Sequence, residues 1–217
     1  MKTKRTSDVL SVESSDPKAE ELCQRCAQLF SRFGIKSLNM DDLAKSLACS
    51  KKTLYKYFSD KRDLVTRSLG FHMDMMEEEM TDLLQADGNA IDQAFEDMEK
   101  KHAMLSAMNP SVLFDLKKYY PKVFESTLMR RQAMVRTMLV HNVERGMEEG
   151  LYRQDLNIDA VADMHIALVE DMVLQAQEGT LQRPLPEHFQ ALFQYHIRGI
   201  ASPRGLDFLE SKLHPHP

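Results

Sequence analysis

An all-α fold is predicted for this chain, and three observations predict it. Apolar residues recur at helical spacing over long stretches, as in Met40, Leu43, Ala44 and Leu47. No alternating apolar–polar run longer than four residues competes with them, and no internal repeat stands out. The stretches are separated by helix stop and start signals, with Gly34, Gly150 and Gly179 at ends and Pro17, Pro110 and Pro121 at beginnings. A length of 217 residues, 43% of them apolar, suits one large domain or a small one joined to a larger one. The expected organisation is an arm over residues 1–16, read as flexible, a three-helix helix-turn-helix domain over 17–66 and a larger C-terminal helical domain over 67–217.

Asp16 caps a first helix that starts at Pro17 and stops at Gly34, with Leu22, Cys26, Leu29, Phe30 and Phe33 expected to pack onto the helix-turn-helix. Asn39 caps a second helix whose apolar stripe runs from Met40 to Leu47. Ser50 caps a third, Lys51 to Phe58, in which Leu54 and Phe58 face inward. Asp60 caps a long fourth helix reaching about Gln85, broken by Asp87-Gly88. A fifth runs from the Asn89 cap to about Met108, and a sixth from Asn109-Pro110 to Tyr120. The seventh runs from Pro121 to about Glu149, and the eighth from Asn157 or Asp159 through Gln177. The ninth spans Glu187 to Ala201, after which Pro203 and Gly205 leave room for only a brief final turn.

The chemistry is concentrated in the third helix. With Leu54 and Phe58 turned inward, its other positions carry Lys51, Lys52, Thr53, Tyr55 and Lys56. Cations, a hydroxyl and a phenol are the groups that grip phosphates and read base edges, and a major groove is wide enough to admit a helix. The helix-turn-helix is therefore expected to bind double-stranded DNA. Asn39 and Ser50 have a double reading, as helix caps first and as part of helix N-termini that attract phosphate second.

Leu29-Phe30, Gly34, Met40, Leu43-Ala44, Ser50, Thr53-Leu54-Tyr55, Tyr57-Phe58 and Lys61 together resemble the N-terminal domain of TetR-family transcriptional regulators, over roughly residues 18–66. The resemblance implies that Tyr57 and Lys61 contact phosphates. It also implies a C-terminal domain that binds a small effector and dimerises. Three positions depart from the family pattern. Ala48 replaces the usual turn glycine, Lys52 another frequent glycine, and Leu38 a common threonine. A turn position of this kind often needs φ > 0, where alanine costs about 1 kcal/mol.

Charge divides with the domains. Residues 1–67 hold 14 Lys+Arg against 9 Asp+Glu, or +5, and the remainder 14 against 24, or −10. Either this is ordinary surface variation, or only the basic part docks on a polyanion. Lys2, Lys4 and Arg5 in the arm admit a minor-groove contact or a plain solvated tail. Cys23 and Cys26 form a C-x-x-C without the second pair that structural zinc requires, so they and Cys49 read as reduced core thiols and no metal is expected.

Of fifteen methionines, thirteen follow residue 67, which suits either ordinary helical core or an adaptable apolar pocket among helices five to eight. Met98, His102, Phe114, Met134, Met138 and His165 are the candidate ligand-binding residues. His102, His141 and His165 equally suit polar partners within the bundle. The eighth helix is apolar on two faces, with Val161, Met164, Leu168 and Met172 on one and Ile166, Val169 and Val173 on another. The ninth adds Phe189, Leu192, Phe193, His196, Ile197 and Ile200, so residues 158–177 and 187–201 are expected to form a homodimer as a four-helix bundle.

No nucleophile elbow, phosphate loop or dinucleotide fingerprint is present, so no enzyme and no cofactor is expected. With no signal-peptide pattern and no run of eighteen apolar residues, the expected location is the cytoplasm, away from the membrane. Two functions compete. One is a transcriptional regulator, a repressor released from a palindromic operator by a small apolar effector. The other is a DNA-anchored interaction protein whose C-terminal domain recruits a protein partner.

Overall fold

The computed structural model describes residues 16–214 apart from Ala86. The arm expected over residues 1–16, with Lys2, Lys4 and Arg5, lies outside the described residues except for Asp16. The described residues form ten α-helices: α1 (Pro17–Phe33), α2 (Met40–Ser46), α3 (Lys51–Tyr57), α4 (Lys61–Leu84), α5 (Ala90–Ala107), α6 (Ser111–Tyr119), α7 (Pro121–Glu148), α8 (Ile158–Glu178), α9 (Leu185–Ile200) and α10 (Pro203–Leu213). Extended pairing among them is confined to one antiparallel bridge between Tyr152 and Ala201.

The ends of the helices are set by the side chains that the sequence places there. Asp16 accepts from the Lys18 N–H at 2.8 Å, and Gly34 ends α1 at φ 83°. Asp60 accepts from Asp63 N–H at 2.8 Å, and Asn89 from Ile91 and Asp92 N–H. Asn109 accepts from Ser111 N–H, while Asn157 caps α8 through Ala160 N–H. Each bond satisfies a donor that helix geometry leaves without an internal partner.

Two expectations fail. Phe33 is exposed, with the Arg32 guanidinium 5.1 Å from its ring centroid, because α1 ends there and Ile35 takes the core position instead. The tail after Pro203 forms an eleven-residue helix rather than a brief turn. Pro203 sits in the first helical turn, where its missing N–H is harmless, and the Ser202 hydroxyl accepts from Gly205 N–H at 3.1 Å. Gly205 lies so close to the Leu151 carbonyl that a Cβ would collide with it. Leu209 then buries completely.

The helices group into two compact units. One holds the described residues up to Glu78 together with Ala107–Arg131, and the other holds Glu79–Ser106 and Gln132 onward. The boundary expected at 66/67 thus falls inside α4, and α6 belongs with α1–α3. The reason is visible in the core of that unit, where Val112 and Leu116 of α6 join Leu22, Cys26, Phe30, Ile35, Leu43, Leu54, Phe58 and Leu64. The second unit is built on Ile91, Val143, Leu151, Tyr152, Ile197, Ile200 and Leu209. A polar chain runs through it: Tyr152 donates to Asn142 at 3.0 Å, Asn142 to the Ala90 carbonyl and Gln93, and Gln93 to the Leu83 carbonyl at 2.7 Å. The chain leaves these buried polar groups paired, as a low-dielectric interior demands.

Candidate nucleic-acid interface

The interface is built from α2, a four-residue turn and α3. Asn39 accepts from Asp41 and Asp42 N–H at 2.8 and 3.0 Å, and Asp42 accepts from Asn39 N–H at 3.0 Å, which closes a reciprocal capping box. After α2, Ala48 adopts φ 53°, and it alone among the described non-glycine residues has positive φ. The chain then reverses, with Cys49 N–H donating to Ala44 O. The Ser50 hydroxyl accepts from Thr53 N–H at 3.0 Å and starts α3. Leu54 and Phe58, fully buried, fix the rotation of α3 about its axis.

That rotation leaves Lys51, Lys52, Tyr55 and Lys56 exposed, with Thr53 half-buried beside them. Asn39 and Ser50 have their oxygens already committed to caps. Lys56 stands 4.9 Å from the Tyr57 ring centroid and donates to its hydroxyl at 3.4 Å, so these two neighbours form one cationic, aromatic element. Lys51 Nζ meets Asp41 Oδ2 at 2.9 Å. The hydrogen bond to Asp41, and then its charge, hold the Lys51 ammonium above the ordinary lysine range.

Lys61 is placed differently from the rest of the set. Its Nζ donates to the Ile35 carbonyl at 2.6 Å, and burial pulls its pKa down against the opposing charge of Asp115. The ammonium is thus tied to the α1–α2 loop. The same loop is held from the other side by Asp115 of α6, buried, whose Oδ2 accepts from Ile35 N–H at 3.1 Å and Lys36 N–H at 2.8 Å. Arg67 of α4 secures the far end of α3 by donating to the Tyr57 carbonyl at 2.7 Å. Sequence reasoning missed Asp115 and Asp41. A carboxylate beside Val112 and Leu116 was the available signal for the first, because a charge on an inward stripe demands donors.

The cysteines belong to the core of the same unit. Cys23 and Cys26 are buried, and Cys49 packs against that core. Burial pushes the Cys23 thiol up and the Cys26 thiol to about 12, so both stay protonated.

The candidate ligand-binding residues divide between the units. Phe114 lies in the unit that carries α1–α3, exposed, with Lys118 Nζ 5.1 Å from its ring centroid. Met98, His102, Met134, Met138 and His165 lie in the other, where Met134 is buried and the rest are half-buried. There His165 of α8 packs edge-on against His196 of α9 with ring centroids 4.7 Å apart, and Phe95 meets Phe193 at 4.8 Å. Burial pulls His165 to about 3, aided by His196 and Lys101, and pulls His196 to about 4, so both imidazoles are neutral. His165 Nδ1 and His141 Nδ1 are buried without a hydrogen-bond partner.

Comparison with known proteins agrees with this geometry. Residues 25–67 match the family model described as "Bacterial regulatory proteins, tetR family". The HTH-type transcriptional repressor KstR2 of Mycobacterium tuberculosis is 24% identical over 148 residues, covering 65% of this chain and 72% of the relative. KstR2 of Mycolicibacterium smegmatis is 26% identical over 151 residues, covering 65% and 71%. The reduced form of E. coli NemR superposes with a TM-score of 0.64 at 20% identity, covering 86% of this chain and 98% of that one. A regulator from Saccharomonospora viridis, solved with choline, superposes at 0.62 with 17% identity, covering 86% and 100%. A helix-turn-helix with its cations turned outward, the family match across it and the repressors similar to most of its length agree: residues 25–67 form a tetR-family DNA-binding domain, and the chain is a DNA-binding transcriptional regulator.

Proposed function

We propose that the protein is a homodimeric repressor that holds a palindromic operator through two copies of α3 and is released by a small apolar effector. The observation that carries the reading is the face of α3: Lys51, Lys52, Tyr55 and Lys56 exposed on a helix whose rotation is locked by Leu54 and Phe58. With Asn39, Ser50, Thr53 and Tyr57 they form the proposed DNA surface, and Lys61 joins it by releasing Ile35. Two such helices related by a twofold axis enter successive major grooves. The KstR2 relatives are repressors, which supports the sign.

Dimerisation is assigned to 158–177 and 187–201. Met164, Leu168 and Leu174 of α8 and Tyr195 of α9 are exposed, Tyr195 by 73%, and isolated apolar side chains of this size gain by pairing with a symmetry mate. The effector is assigned to the methionine- and histidine-bearing interior of the second unit, with Met98, His102, Met134, Met138 and His165 as lining. An effector acts by preferring a reader spacing unsuited to DNA, and lowers operator occupancy by that preference alone. No catalytic residue or cofactor is assigned. The protein is placed in the cytoplasm with its DNA, and among the described residues no helix is long and apolar enough to cross a membrane.

A gel-shift with DNA from just upstream of its own gene, repeated across a small-molecule panel, tests the reading. Binding to an inverted repeat is expected to weaken steeply with salt, and Lys51→Ala or Tyr55→Ala to weaken it by roughly tenfold or more. Sequence-blind or salt-insensitive binding would sink it. The exposed α8–α9 residues also suit recruitment of a different protein. A chain that sediments as a monomer at micromolar concentration would favour that second reading.

A further inference from the structure

Asp41 is an anomaly on a surface meant for a polyanion. It lies exposed in the first turn of α2, and its carboxylate meets Lys51, the first residue of α3, at 2.9 Å with the two side chains 59% and 48% exposed. The neighbouring carboxylates have backbone duties: Asp42 accepts from Asn39 N–H, Asp60 from Asp63 N–H and Asp63 from Ser59 N–H. Among the described residues no backbone hydrogen bond to the Asp41 carboxylate is formed, and an exposed ion pair contributes little to stability. On DNA the same carboxylate neutralises one of the three lysines of α3 and repels nearby phosphates. That cost applies to every sequence, unless a base edge compensates it.

The pair has the right chemistry for one base pair. It presents an acceptor-only group beside a donor-only group, joined at hydrogen-bonding distance and spanning the gap between α2 and α3. In the major groove a C·G pair presents the complementary row, the cytosine N4 amino group as donor and guanine O6 and N7 as acceptors. We propose that the Asp41–Lys51 pair reads a single C·G base pair in each half-site, Asp41 accepting from cytosine N4 and Lys51 donating to guanine. Asp41 is thereby a specificity-determining residue. At G·C or T·A one of the two groups faces its own kind; A·T offers the same central donor and acceptor, but it sets adenine N7 beside the carboxylate and a thymine methyl where guanine N7 would accept from Lys51. The proposal rests on α3 being the operator reader.

Selection of bound duplexes from a random double-stranded library, using the full chain, tests it and identifies the operator in the same step. Wild type is expected to enrich an inverted repeat with C·G at one fixed position of each half, preferred about tenfold or more over the other pairs. Asp41→Ala should lose the preference at that position alone. It should also bind scrambled DNA a few-fold more tightly with a steeper salt dependence, since Lys51 is freed for phosphate. Asp41→Asn should move the preference at that position from cytosine to adenine, because an amide matches adenine N6 and N7. A shift of base preference is something a purely structural role does not produce. An Asp41→Ala profile equal to wild type at every position overturns the proposal, as does a uniform loss at all positions. If wild type enriches no sequence at all, the operator reading itself falls, and this proposal with it; a wild-type repeat left unchanged by Asp41→Ala removes only the role of Asp41.

Discussion

Ala48 shows how one residue shapes the interface. At φ 53° its methyl group crowds the backbone in a region that glycine enters freely, and the turn between α2 and α3 holds it there. Ala48→Gly is expected to raise stability by about 1 kcal/mol, read as a shift of the urea midpoint at constant slope. An unchanged midpoint would mean that the turn carries no strain. The alanine narrows the conformations open to the unfolded turn, whereas the native turn is the one that presents Ser50 as the cap of α3. The neighbouring departure from the family pattern, Lys52, simply lies exposed with its charge free of any role in packing.

Among elements, α6 carries the largest consequence. Asp115 Oδ2 accepts from both Ile35 and Lys36 N–H, across 80 and 79 residues of sequence, so the loop entering α2 takes its shape from a helix outside the helix-turn-helix. Asp115→Ala leaves one buried and one part-buried donor unpaired and is expected to cost about 3 kcal/mol in chemical unfolding. Asp115→Asn keeps an acceptor and should cost less than half of that. Equal, small losses from both would show that water replaces the carboxylate.

Much of the element pattern was legible in the sequence, because caps, prolines and glycines are local signals: Asp16, Asn39, Ser50 and Gly179 stand where they were expected, and of the two candidates for the start of α8 it is Asn157 that caps it. The outward face of α3 was legible for the same reason, since Leu54 and Phe58 fix it by spacing alone. What was not legible depends on distant partners. The length of α10 rests on Gly205 fitting against Leu151, the placement of α6 on its partners in α1–α3, and the Lys51–Asp41 pair on the angle between two helices. A breaker residue reads the same in sequence whether it ends a helix or lets one pack closely.

For the molecule as a whole, buried histidines govern behaviour in acid. His165 and His196 are held near 3 and 4, well below an ordinary histidine, by burial first, with His196 and then Lys101 adding to the effect on His165. The unfolded chain therefore binds more protons than the native one from about pH 6.5 downward. Their contribution to stability is complete above that pH and is lost as pH falls through the window toward 3–4, at up to about 1.4 kcal/mol per pH unit for each imidazole. Urea unfolding between pH 7 and 5 should show this decline, and the double variant His165→Phe, His196→Phe should flatten it. A decline of the same steepness in the variant would assign it to other groups.

The order in which the chain is made matters because of where α6 sits. The unit that carries α3 is discontinuous: its core takes Val112 and Leu116 only after the chain has travelled through α5, and the Asp115 bonds close a loop of some eighty residues. A nascent chain that has released α1–α3 but not α6 exposes an unfinished apolar surface and an unfixed α1–α2 loop. Translation must therefore pass beyond α6 before the reader is complete, and a ribosome stalled earlier displays no finished regulator to the chromosome.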